Sequence, residues 1–88
     1  MSEGSTFIKE YALGNCSGLI EIHIPNSVSS IGGNAFYRCT NLKNIIIPNK
    51  VTSIEEKTFY NCKELISVVI PNSVKSIGAE AFNGCSAL

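Results

Sequence analysis

One interval governs this chain. Cys16, Cys39, Cys62 and Cys85 stand 23 residues apart, and Leu19, Leu42, Leu65 and Leu88 keep the same step. So do Ile24, Ile47 and Ile70, the prolines Pro25, Pro48 and Pro71, and Phe36, Phe59 and Phe82. Residues 19–41 share 13 of 23 positions with 65–87 and 11 with 42–64. A fixed period of this length is the signature of a repeat architecture, in which each unit is one supersecondary element that cannot bury its apolar face alone. Dividing 88 residues by the period gives about 3.8 units, the first degenerate, with Ile8, Ala12, Leu13 and Cys16 where the next unit has Ile31, Ala35, Phe36 and Cys39.

Within a unit the hydrophobic period changes. Leu19, Ile22 and Ile24 predict a short strand, Ile22 and Ile24 on one face and His23 on the other. Pro25 ends it, because proline has no N–H to give to a ladder, and Asn26-Ser27 supplies a turn. Val28 and Ile31 predict a second, weaker extended segment. After Gly32-Gly33, the spacing of Ala35, Phe36, Cys39 and Leu42 predicts a helix of about two turns. Stacking the units buries Leu, Ile, Val and Phe in columns. The expected fold class is therefore an α/β repeat solenoid, right-handed, with parallel short strands plus short helices. A tail over residues 1–7 precedes a single domain over 8–88, divided at about 8–18 (partial), 19–41, 42–64 and 65–88.

The run I-P-N-S-V-x-S-I-G-x-x-A-F-x-x-C-x-x-L, present from Ile24 to Leu42 and again from Ile70 to Leu88, resembles the BspA-like class of leucine-rich repeat. The resemblance covers residues 8–88 and implies a leucine-rich-repeat stack whose surface binds proteins, typically in adhesion, rather than a catalyst. The middle unit departs from the pattern with Lys50 in place of serine, and with Glu55-Glu56 and Thr58 where other units have Gly and Ala. Carboxylates at the start of a helix suit its dipole, so these changes are expected to leave the fold intact.

Composition narrows the function. Seven Lys plus Arg balance seven acidic residues, all Glu, which removes the basic footprint of a nucleic-acid binder. The absence of Asp and the single His leave few side chains for hydrolytic, redox or metal chemistry, so no enzyme and no cofactor are expected. Apolar runs such as Ile45-Ile46-Ile47 and Val68-Val69-Ile70 fall far short of the roughly 20 residues a membrane span needs, so no membrane insertion is expected. Neither the Met1–Thr6 stretch nor the Cys85-Ser86-Ala87-Leu88 end predicts export or lipidation, Cys85 being already placed by the repeat.

The cysteines predict an interior column of four reduced thiols. Packed helices stand roughly 8 to 10 Å apart, beyond the disulfide limit of about 7 Å between Cα atoms. No C-x-x-C pair occurs for zinc, and His23 lies outside the cysteine column. His23 is a structural or surface histidine, since its column continues as Ile46 and Val69 and no triad order accompanies it. The predicted core comprises Leu19, Ile24, Phe36, Cys39, Leu42, Ile47, Phe59, Cys62, Leu65, Ile70, Phe82 and Cys85.

The outward columns of the first strand read Ile20-Lys43-Ile66, Glu21-Asn44-Ser67 and His23-Ile46-Val69. They form a mildly apolar, nearly uncharged face, which is the expected protein-binding surface. Self-association through this face or through the open solenoid ends competes with it, because no cap is evident and zero net charge offers no repulsion. The columns Asn26-Asn49-Asn72 and Ser30-Ser53-Ser76 are expected to satisfy turn backbone groups. Tyr37 and Tyr60 are expected to stack on the outer helix edge. Asn15-Cys16-Ser17 matches a glycosylation triplet that chance produces readily. The expected function is a non-enzymatic protein-protein interaction module of a cell-surface or secreted adhesion protein, with an intracellular scaffold or self-assembling repeat as the alternative.

Overall fold

The structure, a computed structural model, describes residues 4–88. Six short strands form in chain order: β1 (Phe7–Ile8), β2 (Ser30–Ile31), β3 (Asn44–Ile46), β4 (Ser53–Ile54), β5 (Ser67–Val69) and β6 (Ser76–Ile77). All pairing is parallel and steps by the sequence period: Ile8 opposite Ile31, Ile45 opposite Val68, Ile54 opposite Ile77. A parallel bridge between Glu21 and Asn44 extends the β3–β5 side to the preceding segment. Equivalent residues therefore lie side by side, as the columns required.

The first strand is held by alternation. Ile45 and Ile47 are buried while Ile46 between them is exposed, the pattern of a strand packed on one face only. Pro48 then ends the strand, and its carbonyl accepts a hydrogen bond from the Val51 N–H at 3.1 Å. The same turn recurs from Val28 to Pro25 and from Val74 to Pro71. Val28 and Val51, returned inward by this turn, are fully buried. The core also contains Ile8, Ile24, Ile31, Ala35, Phe36, Cys39, Leu42, Ile54, Phe59, Cys62 and Leu65.

The third side of each segment is not a helix. Among the described residues no helix forms, because the backbone enters the left-handed region at every fourth residue: Tyr11 and Asn15, Asn34 and Arg38, Lys57 and Asn61, Glu80 and Gly84. Residues in this conformation end helices rather than continue them. The result is a chain of tight turns in which amide donors alternate. Ala35, Tyr37 and Cys39 donate within their own segment, to Gly32, Asn34 and Phe36. Asn34, Phe36 and Arg38 donate across to the carbonyls of Glu56, Thr58 and Tyr60 at 3.1, 2.9 and 2.7 Å. A helix would direct every donor back along its own axis; here half of them fasten one segment to the next. The spacing of Phe36, Cys39 and Leu42 is common to both arrangements, which is why it was read as helical.

Because the segments are joined by hydrogen bonds at this corner, the spacing of roughly 8 to 10 Å expected between cysteines does not apply. The Phe36 and Phe59 rings stack with centroids 5.3 Å apart and Phe59 and Phe82 at 5.4 Å. The four cysteines are free thiols, and what occupies them is the backbone. Cys39 Sγ donates to the Leu13 carbonyl at 3.0 Å, Cys62 to Phe36 and Cys85 to Phe59 at 3.1 Å.

Two further expectations are corrected. Residues 5–7 belong to the stack rather than to a tail: Phe7 is in β1, and the Ser5 and Thr6 carbonyls accept bonds from Ser27 Oγ and the Ser29 N–H. Positions 1–3 of that tail lie outside the described residues. In the predicted core, Ile70 is 41% exposed, and Leu19, Phe82 and Cys85 are only partly buried, because among the described residues the first and last segments are packed on one side only. The middle unit's substitutions leave the stack intact, as expected, but they change its local bonding. Ser27 and Ser73 bond the preceding segment, Ser73 Oγ to the Val51 carbonyl at 2.7 Å, and Lys50 in the same column has no hydroxyl. A Cβ at Gly32 would lie 2.5 Å from the Glu10 nitrogen, and one at Gly78 2.6 Å from the Glu56 nitrogen. Glu55 occupies that same column with a Cβ. The second-strand ladder accordingly splits: β1 pairs with β2 and β4 with β6, while β2 and β4 do not pair with each other.

Candidate protein-binding face

Strand alternation that buries Ile22, Ile24, Ile45 and Ile47 wholly or in part turns their neighbours outward. All nine predicted surface residues, Ile20, Glu21, His23, Lys43, Asn44, Ile46, Ile66, Ser67 and Val69, are exposed. The ladder brings them together: the Lys43 N–H donates to the Ile20 carbonyl and the Ile66 N–H to Lys43, both at 2.9 Å, and Asn44 and Ile46 pair with Ser67 and Val69. Ile20 (53%), Ile46 (66%), Ile66 (59%) and Val69 (51%) are the apolar members. On this face Lys43 pairs with Glu64 at 3.4 Å, between exposed groups, and the pair contributes little.

A shallow groove of about 490 Å³ runs along the face, lined among others by Glu21, Ile22, His23, Asn44, Ile46 and Pro48. Pro48 and Asn26 line it too although sequence reading assigned them only to the turn; the signal that could have found them is their place directly after the outward column. Asn26, Asn49 and Asn72 are exposed, and the bonds from segment to segment expected of them fall instead to the neighbouring serines. Tyr37 and Tyr60 do stack, at 5.2 Å and 7°, but on the turn corner, where Arg38 and Lys57 lie over their rings. Asn15 is exposed with φ of 61°.

Of the cysteines, Cys39 and Cys62 are buried and Cys16 and Cys85 partly buried. Burial pushes the Cys39 thiol up to about 11 and that of Cys62, flanked by Cys39 and Cys85, up to about 12. Burial also raises Cys85. Such thiols are poor nucleophiles and poor ligands, and among the described residues no group of three or more His, Cys or Glu is placed to hold a metal ion.

The family model described as BspA type leucine rich repeat region (6 copies) matches residues 1–88. The chain belongs to this family. A crystal structure of the T. pallidum leucine rich repeat protein TpLRR superposes with a TM-score of 0.94 at 29% identity, over 100% of this chain and 41% of that one. A leucine-rich repeat protein from Bacteroides ovatus superposes at 0.93 with 39% identity, over 97% of this chain and 22% of that one. This leucine-rich-repeat chain thus spans less than half the length of either solved relative. No curated protein matches it.

Proposed function

We propose that this leucine-rich-repeat chain is a non-enzymatic protein-binding module that engages its partner through the outward strand face. The observation that carries the reading is the run of Ile20, Ile46, Ile66 and Val69, each more than half exposed, with Ile46 and Val69 on the parallel strands β3 and β5 and Ile20 and Ile66 on the segments leading into that side of the stack. Large aliphatic side chains gathered on a flat, nearly uncharged surface lose water favourably when a partner covers them. Membership of the BspA type family supports an adhesion role at a cell surface or outside the cell. The free thiols support the alternative, an intracellular scaffold, because reducing compartments preserve thiols.

The test is direct. Immobilised extracellular-matrix proteins and a cytosolic extract are each probed with the native chain, with an Ile46→Lys, Val69→Lys variant and with a Lys75→Glu control next to β6, in a different sheet. Loss of binding confined to the face variant supports the reading, and the source that binds separates adhesion from scaffold. Equal binding by all three chains would remove the face from consideration.

A further inference from the structure

We infer that a second cleft, at the seam of the second-strand ladder, binds a guanidinium group. The inference concerns a different sheet from the protein-binding face and does not depend on it. The cleft, about 610 Å³, opens at the junction where β2 and β4 do not pair. Its position follows from the backbone. At the junctions on either side, the Gly32 N–H donates to the Ile8 carbonyl at 2.8 Å and the Gly78 N–H to the Ile54 carbonyl at 2.6 Å. The equivalent bond between them, from the Glu55 N–H to the Ile31 carbonyl, does not form. Ile31 and Glu55 line the cleft instead. Gly33 adds no side chain to the seam; a Cβ there would lie 3.1 Å from the Glu56 carbonyl.

Two independent observations give the cleft its chemistry. The first is charge. Glu10, Glu55 and Glu56 line it against one cation, Lys57. That cation is engaged elsewhere, its Nζ 3.9 Å from the Glu80 carboxylate and 5.6 Å from the centre of the Tyr60 ring. Among the described residues no cation pairs with Glu10, Glu55 or Glu56. The second is Asn34, which lines the cleft and is only 8% exposed. Its side-chain amide makes no hydrogen bond among the described residues, yet no fully buried side-chain nitrogen or oxygen there lacks a partner. The amide therefore reaches open space, and the open space that Asn34 lines is this cleft. An enclosed polar group with one open side gains most from a ligand that hydrogen-bonds to it.

Three carboxylates call for a cation, and their arrangement selects which. No three of the acidic groups among the described residues are placed to hold a metal ion, which gathers its oxygens around one point. A guanidinium spreads five N–H donors over a planar fork, so it reaches separated acceptors at once, and it sheds water more readily than an ammonium. The acceptors here are the carboxylates of Glu10 and Glu56, the Asn34 amide oxygen and the Ile31 carbonyl. Free arginine and an arginine side chain within a protein carry the same head group.

The experiment follows the amide resonances of the isotope-labelled native chain by NMR as N-acetyl-arginine methylamide is added. Free arginine, N-acetyl-citrulline methylamide and calcium chloride are the other arms. Saturable shifts centred on Gly33, Asn34, Glu55 and Glu56 are expected with the arginine probes. They are expected to be at least tenfold weaker with the citrulline probe, which has the same shape and no charge, and absent with calcium. Tighter binding of the capped arginine identifies the source as an arginine within a protein chain, and tighter binding of the free amino acid identifies a small molecule; both support the site. A Glu10→Gln, Glu56→Gln variant is expected to bind the capped arginine at least tenfold more weakly. So is Asn34→Gly, in which glycine keeps the left-handed backbone at φ 59°. Glu64→Gln, which removes a carboxylate beside the strand face, is expected to bind as the native chain does. Circular dichroism verifies that each variant folds, and the probe series on the native chain decides the matter for any that does not. Shifts scattered over the whole surface, equal shifts from citrulline, saturation by calcium or equal weakening by Glu64→Gln would overturn the inference; loss of strand-face binding alone would leave it standing.

Discussion

A thiol that donates to a carbonyl in a dry column is held in its neutral form, and this has a measurable cost at alkaline pH. Below the ordinary value of 9.0, Cys39 and Cys62 are protonated in both the folded and the unfolded chain, and their titration contributes nothing. Above 9.0 the unfolded chain ionises them while the folded chain does not until about 11 and about 12. Stability therefore falls as pH rises through this window, by about 1.4 kcal/mol per pH unit for each thiol. A Cys39→Ser, Cys62→Ser variant keeps an O–H donor in each place without a group that titrates there. Urea unfolding is expected to show the native chain losing roughly 3 kcal/mol more than this variant between pH 8 and pH 10; parallel pH profiles would disprove the assignment. The same burial orders the thiols in labelling, with Cys16 modified first and Cys39 and Cys62 only on unfolding. That these residues form an interior column was legible from their spacing. That they bond the backbone was not, since a 23-residue step says which residues align and nothing about what lies 26 positions earlier.

At the scale of elements, the strands were readable and the turn corner was not. Alternation around Ile46 and the stop at Pro48 have one reading, but Ala35, Phe36, Cys39 and Leu42 satisfy a helix and a run of left-handed turns equally. What separates the two is the left-handed backbone at Asn34 and Arg38, which the apolar spacing does not encode. The split in the second-strand ladder was also written in the sequence, in Glu55 standing where Gly32 and Gly78 stand, and was misread because the helix it was thought to begin does not exist. A Glu55→Gly variant is expected to let β4 close on β2. It adds two backbone hydrogen bonds at about 1 kcal/mol each and loses part of that to the freer unfolded chain, for a net gain of about 1 kcal/mol. Thermal unfolding should rise by roughly 4 to 8 °C, with amide exchange slowing at Thr52 and Glu55. Exchange at those amides as fast as in the native chain would show that Glu55 is not what holds the seam open. The reverse change, Gly78→Ala, puts a Cβ against the Glu56 nitrogen and is expected to destabilise by about 2 kcal/mol, read by the same unfolding curves.

For the whole molecule, position in the stack decides what a residue is worth. Phe59 has a ring on each face and is fully buried, whereas Phe82 has a ring on one face and is partly buried. Phe59→Ala is expected to cost about 3 to 5 kcal/mol and Phe82→Ala about half as much, although the two share a column and a sequence context. Denaturant titrations that gave equal costs would mean the interior is not organised by neighbouring segments. The outward face was legible because parallel stacking maps sequence columns onto surface rows, so Ile20, Ile46, Ile66 and Val69 could be gathered from one strand pattern.

The turn corner has one more property. Each of its crossing amides contributes a dipole of about 3.5 D, and because they all point along the stacking axis their moments add instead of cancelling, as they do between the strands. This corner is thus an electrical axle that lengthens with every segment added. It gives a chain of zero net charge a dipole whose positive direction runs from Ala12 toward Phe82.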